Sequence, residues 1–280
     1  MRVTLTGGEQ EVRVAVCQLA PVLGDVGGNV ERAVAAVADA AAAGARLVVL
    51  PELVSSGYVF AGRDELARCA ERPDGTSVTR LAAAAREHGV VLVAGFPELA
   101  DGGEVFNSAF LADPSGVRAV YRKAHLWDGE KELFTAGSAP PAVVDTSVGR
   151  VGVMVCYDLE FPEWTRLAAL AGAEIVCAPT NWPAEPRPAS ERPIEVVRLQ
   201  ASASVNRVYV AAADRTGCER GVDWVGGSAI VGPDGFPLAV ADPGRGEQLL
   251  VAACRLADAR DKRVSPRNDV LGDRRTDLYG

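Results

Sequence analysis

Residues 151–163 read VGVMVCYDLEFPE, and this segment carries the strongest structural signal in the 280-residue chain. Its first five residues form an apolar run that predicts a buried strand, Val151–Val155. Cys156 and a short polar turn follow, and Pro162 near the start of the next segment predicts a helix over Pro162–Ala171. A turn from a strand into a helix exposes a nucleophile and directs backbone N–H groups at developing negative charge. Cys156 is therefore the candidate nucleophile.

The sequence on either side of this turn alternates apolar strands with helices. The short, wholly apolar runs Leu47–Leu50 and Ile175–Ala178 are typical of strands buried on both faces. Amphipathic or alanine-rich patterns with stop signals predict the other long helices, at Asn29–Ala43, Ser77–His88 and Ser190–Asn206. Hairpin turns become frequent later, as in the Asp-Pro-Ser-Gly of residues 113–116. Alternation followed by hairpins predicts an α/β fold in which helices cover a pair of mixed sheets, an α–β–β–α sandwich.

No linker or composition break divides the chain, and its length suits one large α/β unit. We therefore expect a single domain over residues 1–280. From about residue 257 the sequence becomes rich in charge. This predicts a C-terminal arm lying on the surface or on a partner subunit.

Composition excludes several classes of function. A formal net charge of −8 argues against nucleic-acid binding, because such proteins usually carry a basic footprint. No apolar stretch reaches the roughly 20 residues that cross a bilayer, so no membrane association is expected. The N-terminus lacks the apolar core and cleavage site of a secretory signal, and a cytoplasmic location is the default expectation. The six cysteines contain no C-x-x-C pair, which disfavours zinc and redox sites.

Two further polar residues come directly after apolar strands. Glu52 follows Leu47–Leu50 and a proline, and Lys123 follows the strand at 117–122. Taken singly, such a glutamate is usually a cap or surface charge, such a lysine is solvated, and a lone cysteine is core. Together they indicate a site, because functional groups gather at the carboxyl ends of strands. With only His88 and His125 available, a Ser–His–Asp hydrolase or a histidine-rich metal site is disfavoured.

Three motifs resemble the signatures of the carbon–nitrogen hydrolase, or nitrilase, superfamily. They are the PE of residues 51–52, YRKAHL of 121–126 and CYDLEFPE of 156–163, and the similarity runs from Val14 to about Cys254. The resemblance implies the α–β–β–α sandwich and a catalytic triad of Glu52, Lys123 and Cys156. It places a second glutamate at Glu130, with Glu132 as the alternative, since Ala136 stands where many members have proline.

Elementary chemistry agrees with these roles. A thiol attacks as its thiolate, which a carboxylate base and a nearby cation can supply. Lys123 and the backbone N–H of Tyr157 could hold the oxyanion formed on attack at an amide carbonyl. Burial should raise the pKa of Glu52, which suits a proton carrier for departing ammonia and for the water that opens the thioester. No metal or other cofactor is needed, and no nucleotide-binding glycine motif is present.

The resemblance also implies the walls of a substrate pocket. Asn181 and Trp182 should lie beside the acyl group. The remaining lining should be aromatic and should consist of Tyr58, Phe60, Trp127 and Tyr157. The alternative for each of these rings is ordinary packing in the core. A polar end of the substrate could reach acidic residues near Asp128.

The closest pattern within the superfamily is the aliphatic amidase-like branch. We therefore expect hydrolysis of a small aliphatic carboxamide, with an ω-amino amide as one option, to the acid and ammonia through a cysteine thioester. N-carbamoyl amine hydrolysis uses the same residues, nitrile hydrolysis is a weaker alternative, and an inactive scaffold is a different class.

The expected protein partner is a second copy of this chain, in a homodimer or a larger homo-oligomer. The pairing should use the helices at Glu163–Ala171 and Glu191–Asn206. A stripe of apolar residues marks the second helix, namely Ile194, Val197, Ala201 and Val205. The alternative is that this helix lies on its own sheet.

Overall fold

A computed structural model of the chain describes residues 11–188, 190–242 and 244–279. The N-terminal segment 1–10, in which no secretory signal is expected, lies outside these ranges. The strands are β1 (Val12–Gln18), β2 (Leu47–Val49), β3 (Val91–Leu99), β4 (Val105–Asp113), β5 (Gly116–Arg122), β6 (Ala142–Thr146), β7 (Gly149–Val153), β8 (Ile175–Pro179), β9 (Tyr209–Ala213), β10 (Cys218–Glu219), β11 (Val222–Asp223), β12 (Ala229–Val231), β13 (Pro237–Val240), β14 (Gln248–Cys254), β15 (Arg263–Ser265) and β16 (Asn268–Asp269). The α-helices are α1 (Val26–Ala42), α2 (Arg63–Ala67), α3 (Thr76–His88), α4 (Glu130–Leu133), α5 (Pro162–Leu170), α6 (Ile194–Asn206) and α7 (Thr276–Tyr279), and 3₁₀ turns cover Cys156–Glu160 and Leu256–Arg260.

Two six-stranded sheets form the centre of the molecule. Their strand orders are β14-β1-β2-β3-β4-β5 and β13-β12-β9-β8-β7-β6. In each sheet three neighbouring strands are parallel, β1-β2-β3 in the first and β7-β8-β9 in the second, and the flanking strands are antiparallel. The carboxyl ends of parallel neighbours lie along one edge of their sheet, and this is where sites form in such folds.

The two sheets pack face to face, with helices on both outer sides. One apolar cluster fills the space between the sheets and continues beneath α5 and α6, while a second lies between the first sheet and helices α1 and α3. Strand β1 contributes side chains to both clusters. Val14 and Val16 belong to the first cluster, and Ala15 and Cys17 belong to the second. Successive side chains of a strand point to opposite faces, so burial of both faces requires an uninterrupted apolar run. The predicted α–β–β–α sandwich is confirmed.

Helix α6 differs from the prediction in its start. It begins at Ile194, not at Ser190, because Pro193 precedes it with a φ of −51° and ends the extended segment there. Its buried face is formed by Val196, Leu199 and Ala203. The apolar stripe of Ile194, Val197, Ala201 and Val205, which was expected to serve pairing with a second copy, is exposed. The helix lies on its own sheet through its other face.

Residues beyond Leu256 lie along the same chain for at least part of their length. The ion pair of Arg260 with Glu174 holds this segment, and Lys262 Nζ donates to the carbonyl of Arg207 at 2.8 Å. Farther along, Arg166 donates to the carbonyl of Val270 at 2.8 Å. In the part of the chain that the structure describes, no helix is both long and apolar enough to span a bilayer.

Gly95 offers a test of how closely β3 approaches the turn after β2. A Cβ atom at Gly95 would lie 2.5 Å from the backbone N of Leu53 and 2.6 Å from the Cα of Glu52. We expect Gly95→Ala to lower the free energy of unfolding by about 1–3 kcal/mol, as overpacking of a rigid core does. Gly27→Ala is the matched control, because a Cβ there meets nothing within 4 Å. Thermal melts showing equal stability for both variants would contradict this close contact.

Candidate active site

The three residues of the predicted triad follow strands of two different sheets. Glu52 comes after β2 and Lys123 after β5 in the first sheet, and Cys156 comes after β7 in the second. Glu52 and Lys123 are completely buried, and Cys156 is 5% exposed. Sandwiching the two sheets therefore places a carboxylate, an ammonium and a thiol in one enclosed region.

Lys123 is held between two buried carboxylates. Its Nζ lies 2.8 Å from Oε1 of Glu52 and 2.8 Å from Oε1 of Glu130. Glu132, the alternative for the second glutamate, is exposed. A buried ammonium requires both charge compensation and hydrogen bonds, and here the two glutamates supply both.

Asn107 bridges the same two carboxylates and was not predicted from the sequence. Its Nδ2 donates to Oε1 of Glu52 at 2.6 Å and to Oε1 of Glu130 at 3.0 Å, and its backbone carbonyl accepts from the backbone N–H of Lys123. The available signal was an asparagine inside an apolar strand, where this residue type is depleted. The second oxygen of Glu52, Oε2, has no hydrogen-bond partner among the described residues.

Glu130 has its remaining hydrogen bonds satisfied by the walls of the site. The hydroxyl of Tyr58 donates to Oε1 of Glu130 at 2.8 Å, and the backbone N–H of Trp127 donates to Oε2 at 2.7 Å. Both oxygens of the carboxylate are therefore engaged, and Oε1 also meets Lys123 and Asn107. These contacts hold the Glu130 carboxylate in one position beside the ammonium.

Cys156 lies on a strained turn. Its φ is +46°, a left-handed conformation that is uncommon for residues other than glycine. Asp158 braces the turn: one oxygen accepts from the backbone N–H of Val155 and the hydroxyl of Tyr121, and the other accepts from the backbone N–H of His125 and contacts its Nδ1 at 2.7 Å. His125 thus supports the turn through Asp158.

Asn181 connects the nucleophile to Glu52 across the two sheets. Its backbone carbonyl accepts from Sγ of Cys156 at 3.7 Å, and its Nδ2 donates to the backbone carbonyl of Glu52 at 2.9 Å. The next residue, Trp182, is held through its backbone N–H by Asp214. Burial raises the pKa of Asp214 to about 7 although three backbone N–H groups oppose the shift. These contacts fix the segment after β8 against the catalytic residues.

Burial dominates the proton equilibria of the site. It raises the pKa of Glu52 to about 7, with the charge of Glu130 adding to the effect and Lys123 opposing it. It also raises the pKa of the Cys156 thiol well above its usual range. For Lys123, burial lowers the pKa, but the charges of Glu130 and Glu52 outweigh it and the net shift is upward. The resting thiol is therefore protonated and lies in the same cluster as a carboxyl group that titrates near neutrality.

A cavity of about 140 Å³ opens above Cys156. Four of the predicted substrate-binding residues line it together with the thiol, namely Trp127, Tyr157, Asn181 and Trp182. Tyr58 and Phe60 line a neighbouring groove instead, as does Asp128. Tyr58 does not line the cavity at Cys156 because its hydroxyl donates to Glu130, and this hydrogen bond keeps the ring on the far side of the catalytic residues.

Fold and site together define a hydrolase that acts on carbon–nitrogen bonds other than peptide bonds. A family model for carbon-nitrogen hydrolases matches residues 13–264. The chain is 38% identical to a nitrilase from Pyrococcus abyssi, across 96% of this chain and 99% of that protein. It is 34% identical to N-carbamoylputrescine amidase from Arabidopsis thaliana, across 98% and 95%. A solved variant of the Nesterenkonia AN1 amidase, from the nitrilase superfamily, has a TM-score of 0.78 at 30% identity, covering 98% and 97%.

This chain belongs to the carbon–nitrogen hydrolase family, within the nitrilase superfamily. The relatives carry three different activities in their names, so membership alone does not select the substrate.

The buried charge cluster predicts that Glu52→Gln and Lys123→Met lose function in different ways. Glutamine can keep an oxygen toward Lys123 and Asn107, so activity should fall about 10²–10⁴-fold while stability is retained. Methionine leaves two carboxylates facing each other without a cation, which should cost about 3–5 kcal/mol of stability as well as activity. Melting curves at pH 7 check this, and a wild-type melting temperature for Lys123→Met would contradict the cluster.

The raised pKa of Glu52 also predicts how the stability of the protein depends on pH. Glu52 has a pKa of about 7 in the folded protein against 4.5 as its ordinary value, so between these pH values the native state holds a proton that the unfolded chain has lost. The free energy of unfolding should therefore fall as pH rises through this window. Glu52→Gln removes this contribution, whereas Asp214 still contributes to the slope. Equal pH slopes for wild type and Glu52→Gln would contradict the raised pKa.

Proposed function

We propose that this enzyme hydrolyses small aliphatic carboxamides, with ω-amino amides as preferred substrates, to carboxylic acids and ammonia. The observation that carries the proposal is the position of Cys156 at the base of a small cavity, in one buried cluster with Glu52 and Lys123. An amide carbonyl entering this cavity meets a nucleophile, a proton carrier and a cation together. In a solved variant of the Nesterenkonia amidase, the acetamide moiety of fluoroacetamide is attached covalently at the active-site cysteine.

The first step forms a thioester. Glu52 takes the thiol proton as Sγ attacks the carbonyl carbon, since a thiol with a raised pKa needs a base at the moment of attack. Lys123 and the backbone N–H of Tyr157 stabilise the oxyanion. Glu52 then gives its proton to the amide nitrogen, and the carbon–nitrogen bond breaks to release ammonia.

The second step regenerates the enzyme. Water loses a proton to Glu52 as it attacks the thioester, and the carboxylic acid departs while Sγ regains that proton. One amide and one water thus give one acid and one ammonia. A carboxyl group with a pKa of about 7 suits this alternate gain and loss of a proton, because both its protonated and its ionised forms are populated near neutral pH.

The rim of the cavity supports a positively charged substrate end. Among the described residues that line it, the carboxylates of Glu160, Glu185 and Glu195 outnumber the cation of Arg198. Arg198 lies 2.7 Å from Glu160 and 3.9 Å from Glu195. Glu185 makes no ion pair with the described residues and also lines the neighbouring groove. An ammonium at the far end of an aliphatic chain would supply the missing charge, with the indole rings of the cavity wall packing on the chain.

A screen of ammonia release tests the proposal. We expect turnover of propionamide and faster turnover of an ω-amino amide of similar length, with N-carbamoyl amines as the alternative and nitriles weaker. Cys156→Ala should abolish turnover of every substrate. Glu185→Gln should raise KM for the ω-amino amide and leave KM for its uncharged isostere unchanged, since only the first carries a charge to be recognised.

Two results would refute parts of this proposal. Turnover by Cys156→Ala above a few per cent of wild type would refute the thioester mechanism. Equal KM changes for charged and uncharged substrates in Glu185→Gln would remove the ammonium preference and leave amide hydrolysis standing.

We also propose that the enzyme is a homodimer, or a larger assembly of dimers, paired through α5 and α6. These helices contact each other. Their outward apolar side chains are between 41% and 51% exposed, namely Leu167, Leu170, Ile194, Val197 and Val205. Apolar patches of this kind mark contact surfaces. Near the end of the arm, Leu278 and Tyr279 are more exposed still, and a crossing arm would cover them.

Light scattering at micromolar concentration tests the dimer. We expect a mass near twice 29.3 kDa for wild type and a monomer for Val197→Glu. Leu238→Glu is the matched control, since Leu238 is similarly exposed but lies on β13. A wild-type protein that scatters only as a 29.3 kDa species would overturn this proposal.

A further inference from the structure

A buried ion pair lies behind the groove that Tyr58 and Trp224 line beside the active-site cavity. Arg215 and Glu219 are 2% and 7% exposed. Nη2 of Arg215 donates to Oε1 of Glu219 at 2.8 Å and to the carbonyl of Pro21 at 2.9 Å, and the guanidinium lies 4.6 Å from the ring centre of Trp224. Neither charge belongs to the catalytic cluster described above.

The second oxygen of Glu219 holds the backbone of the segment that follows Glu52. It accepts from two successive N–H groups, those of Tyr58 at 2.9 Å and Val59 at 2.6 Å. Gly57, with a φ of +80°, allows this approach, because a Cβ there would lie 2.8 Å from Glu219 Oε1. Two adjacent N–H groups bound to one oxygen fix the direction in which the intervening side chain leaves the backbone.

That side chain is Tyr58. Its ring packs edge-on against Trp224 at 5.3 Å between centroids, and its hydroxyl donates to Oε1 of Glu130 at 2.8 Å. The same oxygen accepts from Lys123 and Asn107. A displacement of the Tyr58 backbone would therefore move a hydrogen-bond donor of the Glu130 carboxylate, which in turn orients Lys123.

We propose that the Arg215–Glu219 pair is a positioning device that sets the Tyr58 hydroxyl on Glu130 and so fixes Lys123 for oxyanion stabilisation. This inference rests on the proposed function. Glu219 accepts three donors at once, and the Arg215 guanidinium balances its charge. Tyr58 remains a hydroxyl donor because burial raises its pKa well above the usual range. The titratable groups around the Tyr58 hydroxyl are Lys123, Glu52, Glu130 and Cys156.

A mutant cycle tests the coupling. The variants are Tyr58→Phe, the pair Arg215→Met with Glu219→Met, which also removes the oxygen that accepts from the Tyr58 and Val59 N–H groups, and all three changes combined. The paired change removes both charges at similar volume, which leaves no lone buried ion. We expect kcat to fall about 10- to 100-fold in Tyr58→Phe and in the paired variant, as loss of a hydrogen bond to a charged group implies. The triple variant should fall no further, and KM should change less than about threefold.

A second readout does not depend on turnover. Alkylation of Cys156 by iodoacetamide, measured in a Cys218→Ser background because Cys218 is exposed, reports the thiol and its nearby cation. We expect Tyr58→Phe and the paired variant to slow alkylation equally. If the wild type is alkylated but hydrolyses no amide, the proposed function fails, while the comparison of alkylation rates still tests the positioning device.

The control breaks an ion pair away from the site. Arg260→Met removes the partner of buried Glu174, which precedes β8 at the opposite end from Asn181. It should lower the melting temperature and leave kcat and alkylation unchanged. If the paired variant fails to fold, Arg215→Lys, which keeps the charge but loses the planar fork, should give an intermediate loss. Losses that multiply in the triple variant, or a kcat in the paired or Lys variant equal to that of Arg260→Met, would overturn the inference.

Discussion

The ammonium of Lys123, buried between Glu52 and Glu130, is the interaction on which the rest of the site depends. A buried cation is tolerated only with close anions and satisfied hydrogen bonds. Two carboxylates meet that need but exceed it by one negative charge. Burial, together with this excess, raises the pKa of Glu52 to about 7, which suits a proton carrier near neutral pH. Stability of the cation and reactivity of the carboxyl therefore have the same origin.

The sandwich is the means of building this cluster. Glu52 and Lys123 follow strands of one sheet and Cys156 follows a strand of the other, so the face-to-face packing of the sheets brings them together. Contacts across the layers then fix the geometry, as when Asn181 of the second sheet donates to the carbonyl of Glu52. The left-handed φ of Cys156 persists because Asp158 ties the turn to β5 and to the segment after it.

Strand and helix patterns in the sequence were sufficient for the layered fold, because apolar runs buried on both faces and amphipathic helices leave few alternatives. The ends of elements followed less closely from sequence patterns, and α6 begins at Ile194 where Ser190 was predicted. The sequence also left open whether the apolar stripe of α6 packs inward or faces a second copy, since both faces of the helix carry apolar residues. Which one meets the sheet depends on how the helix is rotated when it docks.

The sequence by itself determined the residue types of the chemistry: a thiol at a strand-to-helix turn, a glutamate and a lysine after strands, and the resemblance that joins them. Only the tertiary structure decided that Asn107 bridges the two carboxylates and that Tyr58 serves Glu130 from behind the cavity. The physical reason is that local sequence encodes backbone propensity and burial. Hydrogen bonds between residues far apart in the chain exist only once both sheets have packed.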